Sequence, residues 1–220
     1  MKQRDLNGEL SARLDKAGVR HYSEPIYRVS VSRFYKALTK GKAAQKTNGW
    51  MVDRDAKKAY SGMKLYLSRD GKAGMAISKD GNVHSLFSAG SKGGAMGSLI
   101  PFAIAHGARK LDCYVSQSGR SNLADMYSRY GAKATGKVKF VGEYNDEYMA
   151  LPDDHPDKVN PPKWVVAMTL PRTLTTAIDK YDRYSSVNLK SVKTFRNYDN
   201  MLRDRDRQLD GKGQVMPNMG

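Results

Sequence analysis

Two Asp-Gly pairs, Asp70-Gly71 and Asp80-Gly81, interrupt the alternating apolar runs of "KLYLSRDGKAGMAISKDGNVHSLFSA". Glycine takes the positive φ of a tight turn without steric penalty, so Asp-Gly between alternating runs marks a hairpin. Two in succession commit Lys64 to Ala89 to three antiparallel strands. Such a meander must bury one face against other elements, and the flanking chain supplies them. "PIYRVSV" alternates as a strand from Ile26 to Val31. After Ser32, a candidate N-cap, Phe34 and Leu38 share one helical face. A short helical segment is expected from Asp53 to about Tyr60. Beyond the meander come a glycine-rich loop, a helix from Met96 to Ala108 and a buried strand in "KLDCYVS". A helix in "SNLADMYSRYGA" follows, with Ser121 as N-cap and Gly131 as stop, then strands in "KATGKVKFV" and from Lys163 to Leu170. The economical assembly is one mixed α/β sheet with helices on its faces. Residues 1–24 read as an arm, 25–170 as the domain, and 171–220 as a polar extension with at most a docked helix.

Charge is the strongest bulk property. The chain of 220 residues carries a formal charge of +16, unevenly spread. Residues 1–80 hold 18 basic and 8 acidic side chains, a surplus of ten. Within them "YRVSVSRFYKALTKGKAAQK" has Arg28, Arg33, Lys36, Lys40, Lys42 and Lys46 and no acid. Crowded like charges repel one another, and a polyanion such as DNA or RNA offsets that through phosphate contacts and counterion release. A solvated solubility surface is the other reading. Tyr27, Tyr35 and Trp50 could stack on bases, although core packing is the plainer role of Trp50.

Several classes are disfavoured. The longest apolar run, near Ile100 to Ala105, is short for a membrane span and contains Pro101. The mixed-charge start lacks the apolar core of a signal peptide, so a cytoplasmic protein is expected. The single cysteine, Cys113, excludes an internal disulfide and alternates with Leu111 and Val115 as a buried side chain. The four histidines have no metal-ligand spacing, and no metal is expected.

The loop "SAGSKGGAMGSLIP" stands directly before a helix. Glycines let backbone N–H groups approach a pyrophosphate, and the helix start favours negative charge. A flexible connection is the alternative. A helix beginning near Ala95 has Pro101 in its second turn; one beginning at Pro101 leaves the loop aimed at no helix start.

This order of elements, with the glycine loop after the fourth strand, resembles the GNAT acetyltransferase superfamily over about residues 25–170. In the family the loop reads Q/R-x-x-G-x-G/A. Lys92, Gly93, Gly94, Ala95, Met96 and Gly97 fill that place, with Lys92 for Gln or Arg and Ala95 where glycine is usual. A second family pattern, N-x-x-A/x-x-x-Y-x-x-x-G-F, is approached by Asn122, Tyr127 and Gly131, with Tyr127 and Gly131 in its spacing, Asn122 one residue nearer to the Tyr and Ala132 for the final Phe. The resemblance implies a mostly antiparallel central sheet with helices on both faces, and acetyl-CoA or another acyl-CoA as cosubstrate. It implies phosphate contacts at residues 92–97, pantetheine between the fourth and fifth strands beside Asn122, and Tyr127 as acid towards the departing thiolate. Many relatives use a Glu on the fourth strand as base; "VHSLFSA" offers only His84, with Glu143, Asp146 and Glu147 as alternatives. The family's acceptor groove is bordered by the first two helices, which here carry the basic stretch. The implied function is N-acyl transfer to an amine on or near nucleic acid. The alternative is an inactive protein of the same fold that binds nucleic acid, for example a component of a phage particle, with a protein partner at the C-terminal extension.

Overall fold

A computed structural model of the chain describes residues 6–21, 24–45, 47–89, 95–116, 123–179, 181 and 186–211. Its first sheet has the order β1 (Ile26–Arg28), β2 (Lys64–Ser68), β3 (Ala73–Ile77) and β4 (Val83–Ser88), all antiparallel. Gly71 and Gly81 take φ of 69° and 80° at the two Asp-Gly turns, as the meander requires. Between β1 and β2 lies α2 (Val31–Ala44), which starts two residues earlier than the sequence suggests. Ser30 is its cap, accepting from the Arg33 N–H at 3.4 Å. The helix expected from Asp53 is instead an extended run followed by a 3-10 turn, Lys57–Tyr60. A tertiary contact overrides local propensity there: the Asp55 N–H donates to the Tyr60 hydroxyl, which is bonded at 2.7 Å to Ser85 on β4.

The second sheet has the order β5 (Lys110–Ser116), β7 (Pro162–Thr169), β6 (Lys133–Lys139) and β8 (Thr194–Phe195), antiparallel except for β6 and β8. The sequence reading of one continuous sheet is therefore corrected to two. Among the described residues a single parallel bridge links them, from Asn82, just before β4, to Lys110 on β5. The two sheets share a core that includes Tyr66, Met75, Ile77, Leu111, Val166 and Met168. Helix α3 (Ala95–Ala105) lies in it, apolar all round with Leu99, Ile100, Ala103 and Ile104 nearly inaccessible. Because α3 begins at Ala95, Pro101 falls in its second turn.

The flanking segments are part of this architecture. Helix α1 (Leu6–Lys16) buries Leu10 and Leu14 in the shared core. Helix α4 (Leu123–Ser128) adds Ala124 and Tyr127, and α7 (Leu174–Asp179) adds Ala177. Short α5 (Asp146–Met149) and α6 (Pro156–Val159) occupy the connection from β6 to β7. On the faces away from the shared core, α2 covers the first sheet with Phe34 and Leu38. Helix α8 (Tyr198–Leu209) covers the second, burying Met201 against Val138 and Ala167. The C-terminal segment is thus a structural layer and supplies a strand as well as a helix.

A bulge shapes β4. Gly74 pairs with Phe87 but Ala76 pairs with His84, so two residues of β4 oppose one of β3. Ser85 there has φ of 49°, a left-handed conformation uncommon outside glycine. The extra residue reverses the alternation. Val83 joins the shared core while Phe87, four residues on, joins the α2 side.

Candidate active site

Beyond the Asn82–Lys110 bridge a cleft of about 390 Å³ lies between β4 and β5. Its floor and walls come from four places: the loop after α2 (Gln45 to Asp53), the bulged strand β4, Leu111 to Tyr114 on β5, and Tyr127 with Tyr198 from α4 and α8. An ion network ties the strands together at the closed end. Lys110, 6% exposed, meets Asp80 and Asp206 at 2.8 Å each. Arg205 donates to Asp206 at 3.1 Å, to the Leu111 carbonyl at 3.3 Å and to Asn82 at 3.4 Å. Burial works against ionising Asp80, but hydrogen bonds from Lys110 and Ser78 outweigh it and hold its carboxyl well below the ordinary range.

His84 and Tyr127, far apart in sequence, line this one cleft. The His84 Nε2 lies 3.1 Å from the Asn82 amide nitrogen. Tyr127 is 5% exposed, and burial, with Cys113 and Asp112 near, pushes its phenol far above the ordinary range. Nothing among the described residues bonds its hydroxyl. Cys113, buried beside Asp112, has its thiol pushed up as well, which keeps it neutral and unsuited to nucleophilic attack.

Three further residues complete the cleft. Asp112 accepts from the Tyr198 hydroxyl at 2.9 Å, and burial raises its carboxyl above the usual range. Asp53 is exposed, yet desolvation by the protein around it raises it to about 6, with Asp112, Asp55 and Glu147 adding like-charge repulsion and Lys42 opposing. The Tyr114 phenol is pushed to about 12 by burial and by the charge of Asp53. A carboxylate inside the apolar alternation of "KLDCYVS" is the one sequence signal that could have flagged Asp112. Nothing local marks Asp53 or Tyr198.

The elevated Asp53 pKa is measurable as stability. Between pH 3.8 and about 6 the folded state holds a proton that the unfolded chain has released, so stability falls as pH rises through that window. Asp53→Asn is therefore expected to be the more stable protein at pH 7.5 and equal to the wild type below pH 4. The gain, discounted for solvent screening, is about 1 kcal/mol, read from paired urea melts.

The other sequence-derived residues are distributed as follows. Lys92, Gly93, Gly94, Asn122 and Lys46 lie outside the described residues. Ala95 and Met96 open α3. Gly97 is enclosed: a Cβ there would collide with the Arg20 carbonyl, so close approach of the segment after α1 accounts for this glycine. Arg28, Arg33, Lys36 and Lys40 are exposed, the last three on one face of α2. Lys42 turns inward, bonding the Val52 carbonyl and Glu147, the latter at 2.7 Å. That pairing commits Glu147, and neither Glu143 nor Asp146 lines the cleft. Trp50 is 6% exposed, donates to Asp157 at 2.8 Å and packs on Tyr114 and Tyr148, a core role.

Among the described residues there is no group of three or more metal-ligating side chains, and no helix is long and apolar enough to cross a membrane. No family model, curated protein or solved structure matches the chain.

Proposed function

We propose that the chain is a GNAT-like N-acyltransferase that uses acyl-CoA and acts on an amine presented on or near nucleic acid. The observation that carries this reading is the parting of β4 and β5. Two parallel strands meet at one bridge and then enclose a cleft, where the resemblance expects pantetheine. The arrival of His84 and Tyr127 in the same cleft supports it.

In this reading the amine nitrogen attacks the thioester carbonyl, a tetrahedral intermediate forms, and the C–S bond breaks with the electron pair leaving on sulfur. The Tyr127 hydroxyl donates a hydrogen bond to that sulfur. No covalent enzyme species is needed. Calorimetry with acetyl-CoA tests the proposal directly. Saturable binding is expected, and no heat at millimolar ligand overturns it in favour of a binding protein of the same fold.

The exposed row Arg33, Lys36 and Lys40 supports the nucleic-acid side of the proposal. Changing all three to Glu is expected to remove salt-sensitive binding to DNA or RNA. If each side chain meets one phosphate, the slope of log K against log salt loses about 2.7. Wild-type affinity and slope in the triple variant would place the polyanion elsewhere.

A further inference from the structure

We propose that Asp53, on the loop after α2, is the catalytic residue that takes the proton from the incoming amine. This rests on the acyltransferase reading of the cleft and names a group that the sequence did not offer.

The geometry supports it in three ways. Asp53 lines the same cleft as His84 and Tyr127 and is exposed to solvent. Its loop is pinned to β4 two residues further on, through the bonds from the Asp55 N–H to Tyr60 and from Tyr60 to Ser85. Its carboxylate has no hydrogen bond among the described residues, whereas His84 is engaged by Asn82, Glu147 by Lys42 and Asp112 by Tyr198. The charged and titratable groups around it are Asp112, Asp55, Glu147, Lys42 and Tyr114, together with His84 and Tyr198 on the cleft wall. Carboxylates outnumber cations in that set, which attracts an ammonium and makes Asp53 a better proton acceptor than an isolated aspartate.

The step balances without a further reactant. The ammonium proton passes to the Asp53 carboxylate, and the freed lone pair attacks the thioester carbon, forming the C–N bond of the tetrahedral intermediate as the carbonyl π pair moves to oxygen. The second nitrogen proton leaves the intermediate for solvent, and the thiolate departs hydrogen-bonded to Tyr127.

Two measurements test the assignment. Carbon-13 NMR of aspartate-labelled protein needs no acceptor: one carboxyl is expected to titrate near pH 6, to vanish in Asp53→Asn, and to move to lower pH in Asp112→Asn. The second follows thiol release from acetyl-CoA with propylamine as probe amine. Asp53→Asn is expected to lower the rate about 100-fold or more and flatten its rise with pH, while Asp53→Glu restores part of both. Acetyl-CoA affinity, measured by calorimetry, stays unchanged in all variants. Absence of the NMR titration, or a wild-type rate and pH profile in Asp53→Asn, overturns the role of Asp53. Failure of the wild type to bind acetyl-CoA overturns the acyltransferase reading itself, whatever the NMR shows.

Discussion

Ending the chain after Arg196 is expected to abolish cooperative folding. The cut removes α8, and with it the cover of the second sheet. Met201, inaccessible in the intact protein, packs with Leu202 and Phe195 on Val138 and Ala167. Removing one such side chain alone, as in Met201→Ala, costs about 2–5 kcal/mol. The cut also takes Arg205 and Asp206 from the junction of β4 and β5. The Leu111 carbonyl loses its side-chain donor, and buried Lys110 keeps only Asp80. Leaving buried polar groups short of partners costs a further 1–3 kcal/mol each. Against a total stability of about 5–15 kcal/mol, these losses are enough to unfold the protein. Scanning calorimetry checks this. A two-state transition at the wild-type temperature in the truncated chain would show that α8 is an accessory, and Met201→Ala gives a graded version in which the protein still folds.

That result bears on how much of the molecule its sequence discloses. The meander was legible because its signals are local: two turns that need glycine, and runs that alternate. Helix α2 was legible through its periodicity, although Ser30 rather than Ser32 caps it, and the end of α4 through Gly131, which takes φ of 79°; the expected cap Ser121 lies outside the described residues. What could not be read were relations across long stretches of chain. The tail beyond Pro171 looks polar because α8 buries few apolar side chains and otherwise docks through Arg205 and Asp206, whose charges mimic a solvated face. The bulge in β4 has no glycine at its positive φ; Ser85 occupies it, bonded to Tyr60. The basic stretch read as a single surface, yet Lys42 is spent inside on Glu147, more than a hundred residues away.

The cleft follows the same logic. His84 and Tyr127 were picked out by resemblance and converge on one cavity. Asp53 lay in a segment that reads as a helix, and its loop is anchored instead by Lys42 at the Val52 carbonyl and by Tyr60 at the Asp55 N–H. Tyr198 reaches Asp112 from 86 residues away, a contact no periodicity predicts. The glycine loop is the converse case. Gly97 matched a phosphate motif, and its neighbour in space is the Arg20 carbonyl. A glycine chosen for close backbone approach leaves the same mark in a sequence as one chosen for a ligand.

In the acyltransferase proposed above, replacing Tyr127 with Phe is expected to lower the rate of acyl transfer by about 100- to 1,000-fold, the usual effect of losing one donor to a developing charge. Acetyl-CoA affinity should change little, because the hydroxyl acts on sulfur only as negative charge appears there. Phe keeps the ring that fills the shared core, so folding is preserved. The pH dependence separates this role from a packing role. Burial beside Asp112 holds the phenol far above its ordinary value, so it stays protonated through the whole accessible range. The wild-type rate should therefore show no alkaline decline up to about pH 10, where an unperturbed tyrosine would already be half ionised. A donor this weakly acidic stabilises the thiolate by hydrogen bonding rather than by complete transfer, and the proton that ends on sulfur comes from solvent. Steady-state rates of both proteins across pH 6 to 10, with calorimetric affinities beside them, decide the matter. An unchanged rate in the Phe variant removes Tyr127 from the chemistry and leaves it as the floor of the cleft.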